Sequence, residues 1–320
     1  MIGNRNVMFS LLALMALAFN AAAQDKFPSM PVHIIVPYAA GASPDTSTRI
    51  IIKGMDARIG QPVVVENRPG ANSLLGLAYV AKAKPDGHTL VFGATSGLGS
   101  AKAMYKSLPY DAGRDFSGII IFQESYFTLM VRNEEKGTTL EQFFEKMRRN
   151  PDRYALGGTS NTMRVLNKMM EGAAKLQHTY VPYNNQSQAV TDLLGGRLGA
   201  FFYTANASIT MAEAGQAHIM AVAAPQRMKS LPNVPALSEV LPGVTVASWN
   251  GYFAPSKTPR PVIDFLYKAF SEAVKQPALV TYLDNAGRAL YMSPLEVDAY
   301  VKAEEARWIN LGRAAGIDPE

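Results

Sequence analysis

Short apolar runs alternate with longer helical patterns along this chain, and this alternation constrains the fold more than any other feature. An apolar run at residues 32–38 passes through a loop of small residues at 39–45 into a helical pattern at 46–59. A second apolar run follows at 62–66 and again precedes a helical pattern. Such repeats are typical of β-α-β units, in which neighbouring strands lie parallel in one sheet. The sequence therefore predicts an α/β protein.

The loop at 39–45 has a composition that suits anion binding. Small residues at the start of a helix leave backbone N–H groups free, and the helix dipole favours negative charge at that end. We therefore predict a site for a carboxylate- or phosphate-sized anion at this loop. An ordinary tight turn between a strand and a helix is the alternative that the loop alone leaves open.

The same periodicities continue to the end of the chain. Strands are predicted at 32–37, 62–66, 89–93, 118–122, 126–132, 154–157, 178–182, 199–203, 218–223 and 247–254. Helices are predicted at 45–59, 72–83, 139–149, 160–175, 186–195, 207–214, 261–275, 277–286 and 294–315. Asp45 is placed so that it can cap the first helix, and we expect Pro261 to lie in the first turn of its helix and Gly287 to end another.

Two segments, at 122–126 and 247–251, bracket a central stretch of about 120 residues. They predict two domains joined by two crossings, the first domain comprising 24–125 plus 247–320 and the second 126–246. The helices after Pro259 have no strands of their own in the pattern, so we expect them to pack on the first sheet. Such a topology leaves a cleft between the domains that can close on a ligand.

The first 23 residues predict a signal peptide. Arg5 supplies a positive charge, residues 7–19 are apolar without a charge, and three alanines at 21–23 precede the expected cleavage site. No later apolar run approaches the roughly 18 residues of a membrane span, so we expect a soluble, exported protein of the periplasm. The absence of cysteine excludes a cysteine-linked lipid anchor, disulfides and thiol chemistry.

Charge and motif composition argue against several functions. The formal net charge is +5, from 31 Lys and Arg against 26 Asp and Glu, and no basic stripe of the nucleic-acid type is present. The four histidines lie in separate predicted elements without metal-ligand spacing, so we predict no metal site. Residues 97–102 begin like a dinucleotide motif but lack its third glycine, and we predict no cofactor.

Residues 93–97 are similar to the nucleophile elbow of serine hydrolases. The serine, Ser96, stands at the fourth position instead of the third position of Gly-x-Ser-x-Gly. A secreted hydrolase that uses Ser96 or Ser160 is therefore an alternative, for which the sequence identifies no histidine and aspartate partners.

Polar loops of small residues follow several predicted strands. They lie at 38–45, 94–97, 157–162, 183–186 and 203–206. Ligands of open α/β sheets bind beyond the carboxyl ends of the strands, so Tyr38, Thr95, Ser96 and Asn161 join the candidate ligand-binding residues. The loops offer hydroxyls and amides without a trio of acid, base and nucleophile, and we predict a binding protein with no catalytic residue. Turn and cap chemistry is the alternative for each loop.

Ordered blocks of sequence over residues 27–315 carry a resemblance to a known family. They are FPSMP at 27–31, IVPY at 35–38, GASPD at 41–45, GQPVVVENRPGA at 60–71, PDGHTL at 85–90, LPYD at 108–111, VPY at 181–183, TDLLGG at 191–196 and FAP at 253–255. These blocks resemble the Bug family, the periplasmic solute receptors of tripartite tricarboxylate transporters. The resemblance implies a two-domain periplasmic binding protein of the type II, Venus-flytrap kind, with mixed sheets and an interdomain cleft.

The resemblance also implies where a ligand carboxylate binds. In Bug receptors the loop after the first strand and the facing loops of the second domain hold carboxylates, largely through backbone amides and bridging water. Carried over by position, the ligand-binding residues are Ala40, Gly41, Ala42, Ser43 and Asp45 on one side, and Thr159, Ser160, Tyr183 and Asn184 on the other. For Asp45, capping a helix is an equal alternative.

Two departures from the family pattern bear on the ligand. The second glycine usual in the first loop is Ala42, which tolerates fewer backbone conformations. An acidic residue usual near the cleft is replaced by Tyr203, which follows Phe201 and Phe202. We therefore add Tyr203 to the predicted site and expect room for an aromatic or larger apolar ligand, unless the two phenylalanines are simply core.

The resulting prediction is a periplasmic receptor, expected to be a monomer, that captures a small carboxylate by hinge closure. Its expected partners are the membrane subunits of a tripartite tricarboxylate transporter. A ligand-sensing receptor that contacts a signalling partner is the alternative within the same class.

Overall fold

The computed structural model describes residues 27–320. The predicted signal peptide at 1–23 therefore lies outside the described residues. Within residues 27–320, no helix is both long enough and apolar enough to cross a membrane.

Strands and helices alternate as the sequence predicts. The strands are β1 (Val32–Val36), β2 (Val63–Asn67), β3 (Thr89–Ala94), β4 (Phe116–Val131), β5 (Leu156–Gly158), β6 (Tyr180–Pro182), β7 (Ala200–Thr204), β8 (His218–Val222), β9 (Ala247–Pro255) and β10 (Gly287–Met292). The helices are α1 (Ser43–Ile59), α2 (Leu74–Ala81), α3 (Ala101–Met104), α4 (Ala112–Asp115), α5 (Leu140–Arg149), α6 (Asn161–Ala174), α7 (Gln186–Leu194), α8 (Ala205–Glu213), α9 (Leu237–Val240), α10 (Arg260–Ala273), α11 (Pro277–Ala286) and α12 (Pro294–Ala314).

The strands form a mixed sheet with two parts that share β4. The first part has the order β2-β1-β3-β9-β4, in which β1 is parallel to β2 and β3, and β9 is antiparallel to β3 and β4. The second part continues as β4-β7-β5-β6, with β5 parallel to β6 and β7. Strands β10 and β8 pair antiparallel with the first and second stretches of β4. The predicted α/β class with mixed sheets is confirmed.

Each part of the sheet is covered by helices on both faces. In the first part, Val32 and Ile34 pack with residues of α1 and α10, whereas Ile35 and Val91 pack with residues of α2 and α12. In the second part, α5 and α6 cover one face, and α7 and α8 cover the other. Strands that are buried on both faces read as continuous apolar runs, which is why the sequence identified them.

The crossing between the two parts differs from the prediction. Separate strands at 118–122 and 126–132 were wrong, because β4 runs without a break from 116 to 131. The polar residues between the two predicted strands are paired: Gln123 donates to the Leu283 carbonyl oxygen (3.2 Å), and Arg288 donates to Glu124. Residues up to Tyr126 pair with β9, and residues from Phe127 onward pair with β7. The strand therefore passes from one sheet into the other beside the predicted crossing.

The C-terminal region also differs from the prediction in one respect. Its helices pack on the first sheet as expected, but residues 287–292 form β10, which the sequence did not predict. None of the β10 residues is fully buried, so the strand lacks the apolar alternation that identifies a strand in a sequence. Gly287 ends α11 and Pro261 lies in the first turn of α10, as predicted.

Candidate functional site

Four helices begin around one cavity between the two parts of the sheet. Strands β1, β5, β6 and β7 each end here, and the chain turns directly into α1, α6, α7 and α8. The cavity has a volume of about 360 Å³ and contacts the first residues or caps of all four helices, among them Ser43, Ser160, Asn185 and Thr204. The first N–H groups of a helix have no intrahelical acceptor, and the dipole places partial positive charge there. The helices therefore make the cavity electropositive.

The cavity wall carries no formal charge. Of the residues that line it within the described chain, none is an Asp, Glu, Lys, Arg or His. Its polar groups are hydroxyls, amides and backbone groups, and Tyr38, Phe127, Met163 and Tyr203 supply apolar surface. An anion bound here would rely on helix termini and neutral donors.

The structure brings together most of the residues predicted for the site. Ten of them line the cavity: Tyr38, Ala40, Gly41, Ala42, Ser43, Ser96, Thr159, Ser160, Asn184 and Tyr203. They come from five loops spread over residues 38–203, and they meet because the carboxyl ends of the strands in the two parts of the sheet face the cavity from opposite sides.

The loop before α1 has a defined backbone geometry. Gly41 has a φ of 79°, a left-handed conformation that glycine adopts without strain. The Ala42 N–H donates to the Ala39 carbonyl oxygen (3.2 Å), and Ala42 occupies the N-cap position of α1 in an extended conformation. Ser43 is therefore the first helical residue, and its N–H has no acceptor within the helix.

Asp45 lies beneath this loop, outside the cavity lining. The prediction that it caps α1 is wrong, because the helix begins two residues earlier at Ser43. Its carboxylate accepts hydrogen bonds from the Gly41 N–H (2.9 Å), Asn67 Nδ2 (2.9 Å) and Arg49 Nε. Burial alone would raise the pKa of Asp45, but these hydrogen bonds and the Arg49 charge hold the pKa below its usual value. Asp45 thus fixes the loop from below.

Three other predicted residues also lie outside the lining, and each makes a hydrogen bond elsewhere. Thr95 Oγ1 accepts a hydrogen bond from the Trp249 N–H (2.8 Å). The Tyr183 hydroxyl donates to Asp192 (2.8 Å), and Asn161 Oδ1 accepts from Asn72 Nδ2 (3.4 Å).

Sequence reasoning missed the residues that strands β4 and β9 contribute. Gln123, Ser125, Ser248 and Asn250 line the cavity from the crossing between the two parts of the sheet. These residues form hydrogen bonds in two pairs: Asn250 Nδ2 donates to Gln123 Oε1 (3.0 Å), and Ser125 Oγ donates to the Ser248 carbonyl oxygen (3.2 Å). Polar side chains in the middle of otherwise apolar strands are the signal that could have identified them.

Four of the hydroxyl groups at the cavity wall belong to Tyr38, Ser96, Thr162 and Thr204. The side-chain oxygens of Thr162 and Thr204 are buried without a hydrogen-bond partner among the described residues, and both residues line the cavity. The Tyr38 hydroxyl lies 2.8 Å from Ser96 Oγ, and burial raises the pKa of Tyr38, so it stays a neutral donor. A buried hydroxyl without a partner costs free energy, so the Thr162 and Thr204 hydroxyls are polar groups whose hydrogen bonds the described residues do not satisfy.

The three aromatic residues at 201–203 divide between core and cavity. Phe201 and Phe202 are fully buried in different core clusters, on opposite faces of β7. Tyr203 lines the cavity, and its ring centroid lies 5.1 Å from that of Phe201. Burial raises the pKa of Tyr203, which keeps its hydroxyl protonated. Of these three residues, only Tyr203 can therefore present its ring to a ligand in the cavity.

A family model decides the relationship to known proteins. The model described as "Tripartite tricarboxylate transporter family receptor" matches residues 47–317. The chain belongs to this receptor family. The resemblance to Bug receptors is thereby confirmed.

Individual receptors match over nearly their whole lengths. A Pseudomonas protein encoded between tcbD and tcbE is 32% identical over 97% of this chain and 94% of its own. The Bordetella pertussis protein BugT is 26% identical over 91% of each chain.

Solved structures confirm the fold of a periplasmic binding protein. The periplasmic binding protein BugD superimposes with a TM-score of 0.85 at 26% identity, covering 92% of this chain and all of that one. A Rhodopseudomonas palustris protein with adipate gives a TM-score of 0.87 at 26% identity, covering 92% and 100%. MatC from the same species, with bound malate, gives 0.82 at 29% identity, covering 89% and 100%.

Proposed function

We propose that this receptor binds a small carboxylate in the central cavity and delivers it to a tripartite tricarboxylate transporter in the periplasm. One observation carries the proposal: four helix N-termini converge on a cavity where none of the lining residues among 27–320 has a charged side chain. Micromolar binding needs about 8 kcal/mol, and one helix terminus contributes about 0.3–2 kcal/mol. Several termini acting together can therefore hold one carboxylate. The adipate and malate in related receptors support this ligand class.

We further propose that the two parts of the sheet act as domains that close on the ligand, with boundaries at 125/126 and 246/247. Strands β4 and β9 run beneath the cavity, where a hinge is required. Opposite them, Asn206 Nδ2 on α8 donates to the Tyr282 carbonyl oxygen on α11 (3.0 Å), a contact that would break on opening. Closure of this kind excludes water from the ligand.

A role without catalysis is the best interpretation of the polar groups. Ser96 and Ser160 both line the cavity, but none of the four histidines does. Ser96 contacts the Tyr38 hydroxyl, and Ser160 accepts a hydrogen bond from the Met163 N–H (3.3 Å) as the cap of α6. Neither hydroxyl has the general base that a serine nucleophile requires.

The first prediction tests the ligand class. Purified protein should show a rise in melting temperature with at least one member of a panel of mono-, di- and tricarboxylates, because binding to the folded state stabilises it. The same panel should include amines and neutral sugars as controls. A flat response to every carboxylate together with a rise for amines or sugars would contradict the proposal. Capture of membrane partners by the loaded receptor then separates transport from a signalling role.

The second prediction concerns the ring of Tyr203. We expect an aromatic carboxylate to bind more tightly than succinate or citrate, since an aromatic pair contributes about 0.5–1.5 kcal/mol beyond burial. Replacing Tyr203 with aspartate should weaken the aromatic ligand at least tenfold and leave the empty protein's melting temperature nearly unchanged. Tighter binding of aliphatic carboxylates by the wild type, or a large loss of stability in Tyr203→Asp, would discard the aromatic preference.

A further inference from the structure

A second chamber lies on the other side of the loop that follows β5. Its volume is about 430 Å³, and Thr159 and Ser160 line both this chamber and the central cavity. Strands β5 and β6 and helix α6 form most of its wall, while Asn72 and Tyr105 reach it from the other part of the sheet. The chamber therefore spans the same interface as the central cavity.

The wall of this chamber is rich in hydrogen-bond donors, and unlike the central cavity it carries positive charge. Arg164 and Lys168 lie one turn apart on α6 and both line it. Residues one turn apart on a helix share a face, so the two cations act on the same space. Lys168 Nζ also forms an ion pair with Glu171 on its own helix (3.0 Å). Tyr180, which carries a hydroxyl group, lines the same chamber.

Two buried amides add unpaired donors. Asn161 and Asn167 are 4% and 0% exposed, line the chamber, and have Nδ2 atoms without a partner among residues 27–320. Their Oδ1 atoms are already engaged, with Asn72 Nδ2 (3.4 Å) and with His178 Nε2 (2.8 Å). Unpaired buried N–H groups next to two cations favour an acceptor that carries negative charge.

The chamber already contacts one carboxylate of the chain itself. The Glu320 side chain forms an ion pair with Arg164 and lines the chamber. Backbone hydrogen bonds hold Glu320 to the other part of the sheet, from its N–H to the Met104 carbonyl oxygen (2.9 Å) and from the Lys106 N–H to its carbonyl oxygen (2.8 Å). Its side chain is 64% exposed, so water screens the pair and an external anion can compete with it.

We propose that this chamber is a second anion site, in which an external carboxylate replaces the Glu320 side chain on Arg164. The anion can come from two sources. One is the second carboxylate of an extended dicarboxylate whose first carboxylate lies in the central cavity and whose chain passes the loop at Thr159 and Ser160. The other is a separate small anion. The first source rests on the proposed function, and the second does not. A guanidinium group binds a carboxylate through two parallel hydrogen bonds, so Arg164 is the principal contact.

Opposite charge changes at the two members of the ion pair test the proposal. Calorimetric titrations at low salt would compare wild type, Arg164→Gln, Lys168→Gln and Glu320→Gln. The control is Arg149→Gln, which removes an ion-paired arginine from α5 away from the chamber. The ligands are dicarboxylates of three to eight carbons, monocarboxylates of matching length, and sulfate.

We expect Arg164→Gln to weaken anion binding at least tenfold, Lys168→Gln to weaken it about threefold, and Glu320→Gln to strengthen it about threefold or more. An effect confined to long dicarboxylates identifies the far carboxylate as the anion, and an effect that includes sulfate identifies a separate anion. The proposal is overturned if Arg164→Gln and Glu320→Gln change the anion affinity in the same direction, or if their effects equal that of Arg149→Gln. The Arg164–Glu320 ion pair would then only connect two parts of the structure. Sulfate binding to the chamber, and the effect of Glu320→Gln on it, do not depend on carboxylate binding in the central cavity. If only the proposed function fails, the variants therefore still change sulfate binding.

Discussion

Replacing Ser160 with aspartate should abolish carboxylate binding in the central cavity while leaving the fold intact. Ser160 caps α6, and aspartate caps a helix about as well as serine does. The new carboxylate would face the ligand in the central cavity, where none of the described lining residues is a cation; Arg164 and Lys168 line only the second chamber. Two like charges about 5 Å apart at an effective dielectric constant of about 20 repel by about 3 kcal/mol. The affinity should therefore fall by about 100-fold or more.

The matched control for this variant is Thr139→Asp. Thr139 caps α5 through the same kind of bond, accepting from the Gln142 N–H, and it does not line the cavity. Both variants should retain the wild-type melting temperature without ligand, and only Ser160→Asp should lose binding in calorimetry. Unchanged or tighter binding of the carboxylate by Ser160→Asp would place the ligand's charge elsewhere.

Replacing Asp45 with asparagine should cost the empty protein about 2–3 kcal/mol of unfolding free energy at neutral pH. The carboxylate of Asp45 accepts hydrogen bonds from Gly41, Asn67 and Arg49 and is 4% exposed. An asparagine would turn an amide group toward one or more of these donors and leave Arg49 without a counter-charge. Losing charge-assisted hydrogen bonds in a buried place costs this much. Urea unfolding of both proteins measures the difference.

The difference in unfolding free energy between the wild type and Asp45→Asn should decrease as the pH falls into the acid range. The pKa of Asp45 is lowered in the folded state, so its contribution is complete above the unfolded pKa of about 4 and is lost as the pH falls through the folded pKa. The two proteins should therefore differ by a constant amount above about pH 5 and converge in stronger acid. As a control, Asp264→Asn removes an exposed ion pair with Arg260 and should change stability by about 0.5 kcal/mol or less. Curves that stay parallel into strong acid would contradict the role of the Asp45 charge.

The comparison of Asp45 with Tyr203 shows how far a sequence identifies a binding site. Asp45 was predicted from the resemblance to Bug receptors and Tyr203 from a departure from their pattern, yet Tyr203 lines the cavity and Asp45 lies beneath its wall. Which way a loop residue points depends on partners outside the loop, such as Asn67 for Asp45, which lies 22 residues away in sequence. The order of residues along a loop does not contain that information.

The sequence by itself determined the α/β class, the approximate place of most strands and helices, the family and the loops at the strand ends. The family follows from the resemblance of the ordered sequence blocks over residues 27–315, and the other features follow from apolar periodicity and turn chemistry within a few residues. Only the tertiary structure decided that β4 is one strand shared by both parts of the sheet, and that 287–292 is paired with it. It also decided that α1, α6, α7 and α8 begin around one cavity. Hydrogen bonds between strands and the convergence of helix ends join residues that are far apart in sequence, and no local pattern specifies such partners.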